Sequence, residues 1–389
     1  MSQKSKWEYF KAIYDRYRKA FAAERTNILN EFCRVCHYHR KYAIRKLNTP
    51  PTQKTHGPLK RKRDVLYGHE VISIIASVWE AADYPCSVRL KVVLADWLPW
   101  IRKRFHPAPS VEKQLLSISA RQIDRRLGSR KSRLKKQIYG RTKPGTLLKH
   151  RVPIKTDNWD VKTPGWSEID TVSHSGNNAE GTFAYTVNDT DILTTWVESR
   201  AVLGKGETGV VNALDEMGQV LPFRRLGLDS DNGSEFINWH LVRYCEEKRI
   251  QSFRGRPYKK DDNAHIEQKN WTHVRKLLGY LRYDTQEAVD AMNDLYRNEL
   301  RLFMNLFLPS MKLKGKQRVG SKLRGRYDRT QTPFERVKVS GKGDPRKIAV
   351  LQHLRDTLDP FELNRIIQEK LERISRLANR RQSPRRIPS

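Results

Sequence analysis

WSEIDTV (residues 166–172), GTFAYTVND (181–189) and ILTTWVESRAV (192–202) are three runs rich in β-branched and aromatic residues. Turn formers such as Ser175, Gly176, Asn177 and Asn178 separate them, so the runs predict three consecutive strands. Downstream, Thr208 to Met217 has helical periodicity and Arg225 to Asp229 reads as a short buried strand. Ser234 to Lys248 predicts a helix, Ile250 to Arg254 a further strand, and Ala264 to Tyr280 a long helix. The order βββ-α-β-α-β-α makes this stretch an α/β core built on a mixed sheet. Aspartate is disfavoured inside strands, so Asp170 there needs either specific hydrogen-bond partners or a functional role.

Two further acids stand in distinctive contexts, Asp231 in LDSDNGSEF (228–236) and Glu267 in DNAHIEQKNW (262–271). Sixty residues separate Asp170 from Asp231, and 35 separate Asp231 from Glu267. Each acid also has a plain structural reading. Asp229 and Asp231 precede Asn232-Gly233 and either could be a turn residue. Glu267 could be a first-turn acid that complements a helix dipole. Taken together, the contexts and the 35-residue gap resemble the catalytic core of insertion-sequence transposases and retroviral integrases, the DDE family. The resemblance is specific over about residues 166–280. It implies a ribonuclease-H-like fold with Asp170 on the first, central strand, Asp231 just past the fourth and Glu267 in the first turns of the last helix. Of the two aspartates it selects Asp231 as the ligand, with Asp229 as the fallback.

The implied chemistry suits these residue types. Mg²⁺ takes carboxylate oxygens, and crowded carboxylates hold together best around bound cations. Two Mg²⁺ or Mn²⁺ ions per site, bridged by Asp170 and held separately by Asp231 and Glu267, would serve in-line phosphoryl displacement. The attacker would be water in the hydrolytic step and a DNA 3′-hydroxyl in strand transfer. Asn263 shares a helical face with Glu267, and Asn270 matches an asparagine common in the family. Arg254, Arg256, Lys259 and Lys260 in the preceding loop are expected on DNA phosphates. Where retroviral enzymes carry a lysine four residues after the glutamate, this chain has Trp271, which moves the expected contact to Lys269, His273 or Arg275. His174 reads either as a neighbour of the metals or as a hydrogen-bonded structural histidine.

The flanks are basic. The formal net charge is +33, far beyond what solubility needs, and it points to a polyanionic partner. It divides as +23 over residues 1–160, −2 over 161–285 and +12 over 286–389. Four cysteines make no disulfide framework. No apolar leader or membrane-length run is expected, so the reading is a cytoplasmic, nucleoid-associated prokaryotic protein.

Residues 1–50 predict a helix-turn-helix domain, with Trp7, Phe10, Ile13, Tyr14 and Tyr17 on one face of the first helix. A third helix places Arg40, Lys41, Arg45 and Lys46 toward DNA and Tyr42, Ile44 and Leu47 inward. Cys33-x2-Cys36 with His37 and His39 lacks zinc-ligand spacing, so no zinc is expected. Residues 51–66 read as a basic linker and 67–136 as a second helix-turn-helix domain, with Val71 to Trp79 buried and one helix from Ser87 to Arg104. In RQIDRRL (121–127), Ser119 serves as N-cap and Ile123 and Leu127 face inward, leaving Arg121, Arg125, Arg126 and Arg130 for DNA. This phrase resembles the second helix-turn-helix of some integrase-core transposases. Residues 137–163 read as a linker, 164–285 as the catalytic core and 286–389 as a basic, mostly helical region for DNA binding and oligomerisation. Within that region 311–330 reads as a glycine-broken DNA-tracking arm, with a disordered loop as its plain alternative. Leu351, Leu354, Leu358, Leu363, Ile366 and Ile367 form an apolar set suited to self-association.

The expected function is transposition: binding of the element's terminal repeats and target double-stranded DNA by a homo-oligomeric synaptic complex, metal-dependent cleavage, and strand transfer. Two rivals remain open, a DNA-binding regulator with an inactive core and a ribonuclease-H-like nuclease. No membrane partner is expected.

Overall fold

A computed structural model describes residues 1–51, 66–139, 161–230, 239–254, 269–319 and 322–379. Asp231, Arg256, Lys259, Lys260, Asn263 and Glu267 lie outside the described residues, as do the greater parts of both expected linkers. The chain forms two compact units, Met1–Leu66 and Tyr67–Ser389.

The first unit is three helices, α1 (Gln3–Lys19), α2 (Ala22–Cys36) and α3 (Arg40–Leu47). Phe10, Ile13, Tyr17, Ile28, Leu29, Phe32, Cys36, Ala43 and Leu47 make its core. The α2–α3 turn needs only His37 to His39. His37 ends α2 in the left-handed region at φ 54°, and His39 Nδ1 accepts the Lys41 N–H at 3.4 Å to cap α3. Two expectations for α3 are corrected. Tyr42 is 41% exposed and Ala43 takes the inward position, because Ala43 and Leu47, four residues apart, define the buried face of α3 and Tyr42 lies off it. Lys46 is turned inward, its ammonium 5.0–5.9 Å from the ring centres of Trp7, Phe10, Tyr38 and Tyr42.

In the second unit α4 (His69–Ala81) buries Val71, Ile74, Ile75, Val78 and Trp79 as expected and ends where Asp83 and Tyr84 enter the left-handed region. The helix expected over 87–104 is two, α5 (Ser87–Asp96) and α6 (Leu98–Phe105), broken at Trp97 with Pro99 in the first turn of α6. Then follow α7 (Pro109–Ser117) and α8 (Ala120–Tyr139), with Ser119 Oγ accepting the Gln122 N–H at 3.3 Å and Ile123 and Leu127 fully buried.

The sheet has the order β3-β2-β1-β4-β5, built from β1 (Trp166–Ser173), β2 (Ala184–Asp191), β3 (Val197–Leu203), β4 (Gly227–Ser230) and β5 (Gln251–Arg254). Strands β1 to β3 are antiparallel neighbours, whereas β4 lies parallel to β1 and β5 parallel to β4. This is the mixed sheet expected of a ribonuclease-H-like core. Residues 192–196, expected within the third strand, instead form a turn fixed by Asp191, whose Oδ1 accepts the Thr194 N–H at 2.6 Å. One sheet face packs Ile169, Val187 and Leu228 against α9 (Glu207–Val220) and α10 (Trp239–Lys248).

Helix α11 is described over 269–278, and α12 runs over 286–307 with π-wound turns at Tyr296–Leu300 and Phe303–Phe307. Strand β3 is an edge strand, and an open edge invites pairing with other chains. Asn293 and Asn305 of α12 close it. Each amide accepts one backbone N–H and donates to one carbonyl, at Ala201 (both 2.8 Å) and at Val197 (3.0 and 2.8 Å).

One hydrophobic cluster runs from Tyr67 through Ile374, crossing the positions near 136 and 286 where the sequence places boundaries. Trp97 shows why. Its ring meets Phe303 and Phe361, and its Nε1 donates to the Phe307 carbonyl at 3.2 Å. The leucines read as a self-association set lie on α14 (Pro345–Thr357) and α15 (Pro360–Arg376), which α13 (Pro333–Ser340) precedes. Leu351, Leu363 and Ile367 are consumed by this cluster. The arm read over 311–330 is a hairpin, β6 (Leu313–Val319) with β7 (Lys322–Tyr327). Its alternating side chains satisfy the strand period of two, which its glycines and charge obscure.

Candidate active site

Asp170 sits on β1, the central strand, one residue beyond the last β1–β4 pair, Ile169 with Ser230. Across the sheet it pairs with Asn188 of β2. Its half-buried carboxylate is held on both oxygens. Oδ1 accepts the Thr171 N–H at 2.7 Å and Oδ2 accepts Asn270 Nδ2 at 2.6 Å. Asn270 Oδ1 in turn accepts Asn188 Nδ2 at 2.5 Å, and Asn188 Oδ1 accepts Ser199 Oγ at 2.6 Å. The chain of donors therefore runs from β3 through β2 and α11 to Asp170. Such a fully connected network fixes the carboxylate's rotamer. Asn270 was legible in the sequence, whereas Asn188 and Ser199 were not. Their only signal is register, which places Asn188 opposite Asp170 and Ser199 opposite Asn188.

Strand partners share a face of the sheet, so Asp170, Glu168 and Asp229 stand on one face, with Glu168 and Asp229 paired and both buried. Asp229 is thus a strand residue, not the turn residue that its Asn-Gly context suggested. Asp231 is the next residue but one, outside the described residues.

The other candidate residues stand in varied surroundings. His174 is fully buried, its Nε2 is 2.8 Å from Thr186 Oγ1, and its ring meets Tyr283 edge-on. Burial, with Arg275 adding to it, pushes its pKa down to about 3, which is the structural reading. His273 is also buried and held neutral, chiefly by desolvation, so it offers no surface contact. Lys269 is half-buried, and burial together with Arg89 and Arg336 lowers its pKa to about 7. Arg275 lies over the Tyr280 ring at 4.8 Å. Trp271 is 48% exposed beside Asn270. Arg254 ends β5, opposite Ser230.

On the flanking helices Arg121, Arg125 and Arg126 are exposed. Arg130 pairs with Glu80 at 3.4 Å. Lys41 and Arg45 are exposed, while Arg40 bonds to Asn30. Among the described residues no group of three or more His, Cys, Asp or Glu side chains is arranged to hold a metal, and no helix is long and apolar enough to cross a membrane.

No protein-family model matches the chain. Among solved structures it is similar to the catalytic core domain of BIV integrase, with a TM-score of 0.31 and 16% identity over 46% of this chain and 95% of that one. It is also similar to the HTLV-2 integrase catalytic core domain in complex with magnesium, a dimeric form, with a TM-score of 0.29 and 15% identity over 38% and 91% of the two chains. A full-length relative is much nearer. The uncharacterized protein y4rM of Sinorhizobium fredii is 36% identical over 339 residues, 86% of this chain and 96% of the relative. The chain belongs to the family of that rhizobial protein.

Proposed function

We propose that the chain is a DDE-type DNA transposase that cuts at the ends of its insertion sequence and joins them to target DNA. The observation that carries this reading is Asp170, a carboxylate on the central strand that Asn270 holds at 2.6 Å. Asp170, Asp231 and Glu267 would hold two Mg²⁺ or Mn²⁺ ions, which when bound supply charge stabilisation at the phosphoryl oxygens. A carboxylate has about four lone-pair sites, so the bonds from Thr171 and Asn270 are compatible with ligation. Asn270 acts as a positioning residue, and Asn188 and Ser199 keep its amide oriented. In the first step water displaces a 3′-oxygen at the element end. In the second, the freed 3′-hydroxyl displaces a 3′-oxygen of the target strand, so bonds broken and made balance. The basic faces of α3 and α8 would grip the terminal repeats, and a homo-oligomer would hold two ends together.

The test is strand transfer of labelled terminal DNA into plasmid, with Mg²⁺ or Mn²⁺, comparing the native chain with Asp170→Asn and Asp231→Asn. Joined product should vanish in both while DNA binding persists, and Asn270→Ala should lower joining about 10- to 100-fold. Cutting without joining would favour a nuclease. Specific binding without chemistry in either metal would favour a regulator.

A further inference from the structure

The β6–β7 hairpin exposes Lys314, Gln317, Arg318, Arg324 and Arg326 and is anchored firmly at its base. Arg336, only 6% exposed, donates to Asp328 Oδ2 at 3.0 Å, Ser310 Oγ at 2.6 Å and Thr195 Oγ1 at 3.1 Å. Asp328 Oδ1 accepts the Lys312 N–H at 2.6 Å, and Asp328 N–H donates to the Lys312 carbonyl at 2.9 Å. In the described structure β6 and β7 pair only with each other. Between them residues 313–327 carry six cations and no acid. An isolated two-stranded hairpin is marginal in water, and like charges directly opposite each other destabilise it further.

The register resolves that conflict in a particular way. Five successive pairs, Gly315–Arg326, Lys316–Gly325, Gln317–Arg324, Arg318–Leu323 and Val319–Lys322, each set one cation against one neutral residue. The cation comes from β7, then β6, and so on in strict alternation. Because strand partners share a face and successive residues alternate, the cations are sorted. One face has the positions of Lys322, Arg324 and Arg326, all from β7, with Gln317 beside Arg324. The other has those of Lys316 and Arg318, both from β6. A ribbon that merely avoided repulsion could mix strands on each face. This one gives one face two arginines and a glutamine, the side chains that read guanine and adenine edges. Gln317, Arg324 and Arg326 are all exposed.

We propose that β6–β7 enters the major groove of duplex DNA as a reading ribbon, with Gln317, Arg324 and Arg326 toward base edges and Arg318 toward flanking phosphates. The major groove, about 12 Å wide, admits a two-stranded ribbon and the minor groove, about 6 Å wide, does not. The clamp at the base fixes where both strands leave the core, which limits the freedom lost there on docking. This inference rests on the DNA-binding part of the proposed function and is independent of the chemistry.

The experiment selects preferred sites from a pool of short duplexes with randomised centres, using the full chain and its variants, and then measures affinity against salt. Arg324→Lys keeps the charge but replaces the rigid planar fork of donors with a flexible point charge. It should retain general duplex binding and lose about 5- to 150-fold of its preference at one or two contiguous base pairs. Arg318→Ala should weaken all duplexes alike and reduce the log–log salt slope by about one, with the preferred site unchanged. An unchanged site in both Arg324→Lys and Arg326→Lys would overturn the proposal, as would equal affinity for an A-form RNA duplex, whose deep, narrow major groove excludes side chains. If DNA is joined normally but the ribbon variants leave site choice untouched, the ribbon reading fails alone. Site choice lost with no joining in any metal would instead sink the transposase reading and leave this one standing.

Discussion

The two helix-turn-helix candidates are alike in sequence and unlike in structure. Each ends in a basic helix, α3 or α8, entered by a short turn at residues 37–39 or 118–119. Helix α3 has eight residues, too few to stand unaided, and it recruits even Lys46 into its aromatic core. Helix α8 has twenty residues, and two buried anchors, Ile123 and Leu127, suffice to hold its first half while the arginines stay outside. The cores differ too. Phe32 belongs to a cluster confined to residues 10–47, whereas Ile123 and Leu127 belong to one that reaches Ile374. A charged run on a helix therefore says little about which cations reach a ligand until the packing demand of that helix is known.

The largest effects test whether the cores are separate. Phe32 is fully buried against Tyr9, Phe10 and Tyr38, so Phe32→Ala should destabilise its unit by about 3–5 kcal/mol. Hydrogen exchange should accelerate over residues 3–47 and nowhere else. Trp97→Ala should cost a similar amount but loosen α12 and α15 together with α5 and α6. Loosening confined to α4–α8 would make that segment an independent domain and dissolve the contrast.

Acid should separate the units next. His174, with its pKa near 3, and His273, well below its ordinary value, are both held neutral in the second unit. An unfolded histidine takes its proton near pH 6.5, so the stability from both is complete above that pH and falls as pH drops below it. By pH 5 His174 has lost about 2 kcal/mol, and His273 adds to the loss in the same direction. Asp191, raised to about 6 chiefly by burial, acts oppositely: its native form keeps a proton that the unfolded chain releases, returning about 1 kcal/mol by pH 5. The net loss falls on the second unit, while His37 and His39 of the first are exposed. Equal melting of both units at pH 5 would contradict this, and His174→Gln should remove its own share, about 2 kcal/mol, of the loss at pH 5.

The strands and their order along the chain were legible because β-branched runs and turn residues report locally on strands, whereas the central place of β1 came from the family resemblance. Asp170 was legible because a strand disfavours aspartate unless a partner or a ligand holds it there. Asn188 and Ser199 were not, since nothing in TVND or VESR marks an asparagine or serine whose partner lies on another strand. The hairpin was missed because glycine and like charge both argue against strands when the cross-strand register is unknown. The fused core was missed for a related reason. The rings that join Trp97 to Phe303 and Phe361 are more than two hundred residues away in sequence, and helical periodicity is silent about distant partners.

The remaining effects concern DNA. Arg121→Ala and Arg125→Ala, at exposed positions of α8, should each lower the log–log salt slope of binding by about one. Lys46 provides the sharpest discrimination and the smallest signal. Its ammonium lies within 6 Å of four ring centres and 3.5 Å from the Tyr38 hydroxyl, an arrangement in which cation–π attraction contributes about 0.5–2 kcal/mol. Lys46→Met keeps most of the stem's volume and removes the charge. It should lower the first unit's stability by no more than that amount and leave the salt slope where it was, because a cation already seated among rings releases no DNA counterions. A slope reduced by about one, matching Arg125→Ala, would put Lys46 on a phosphate and make the two basic helices equivalent after all.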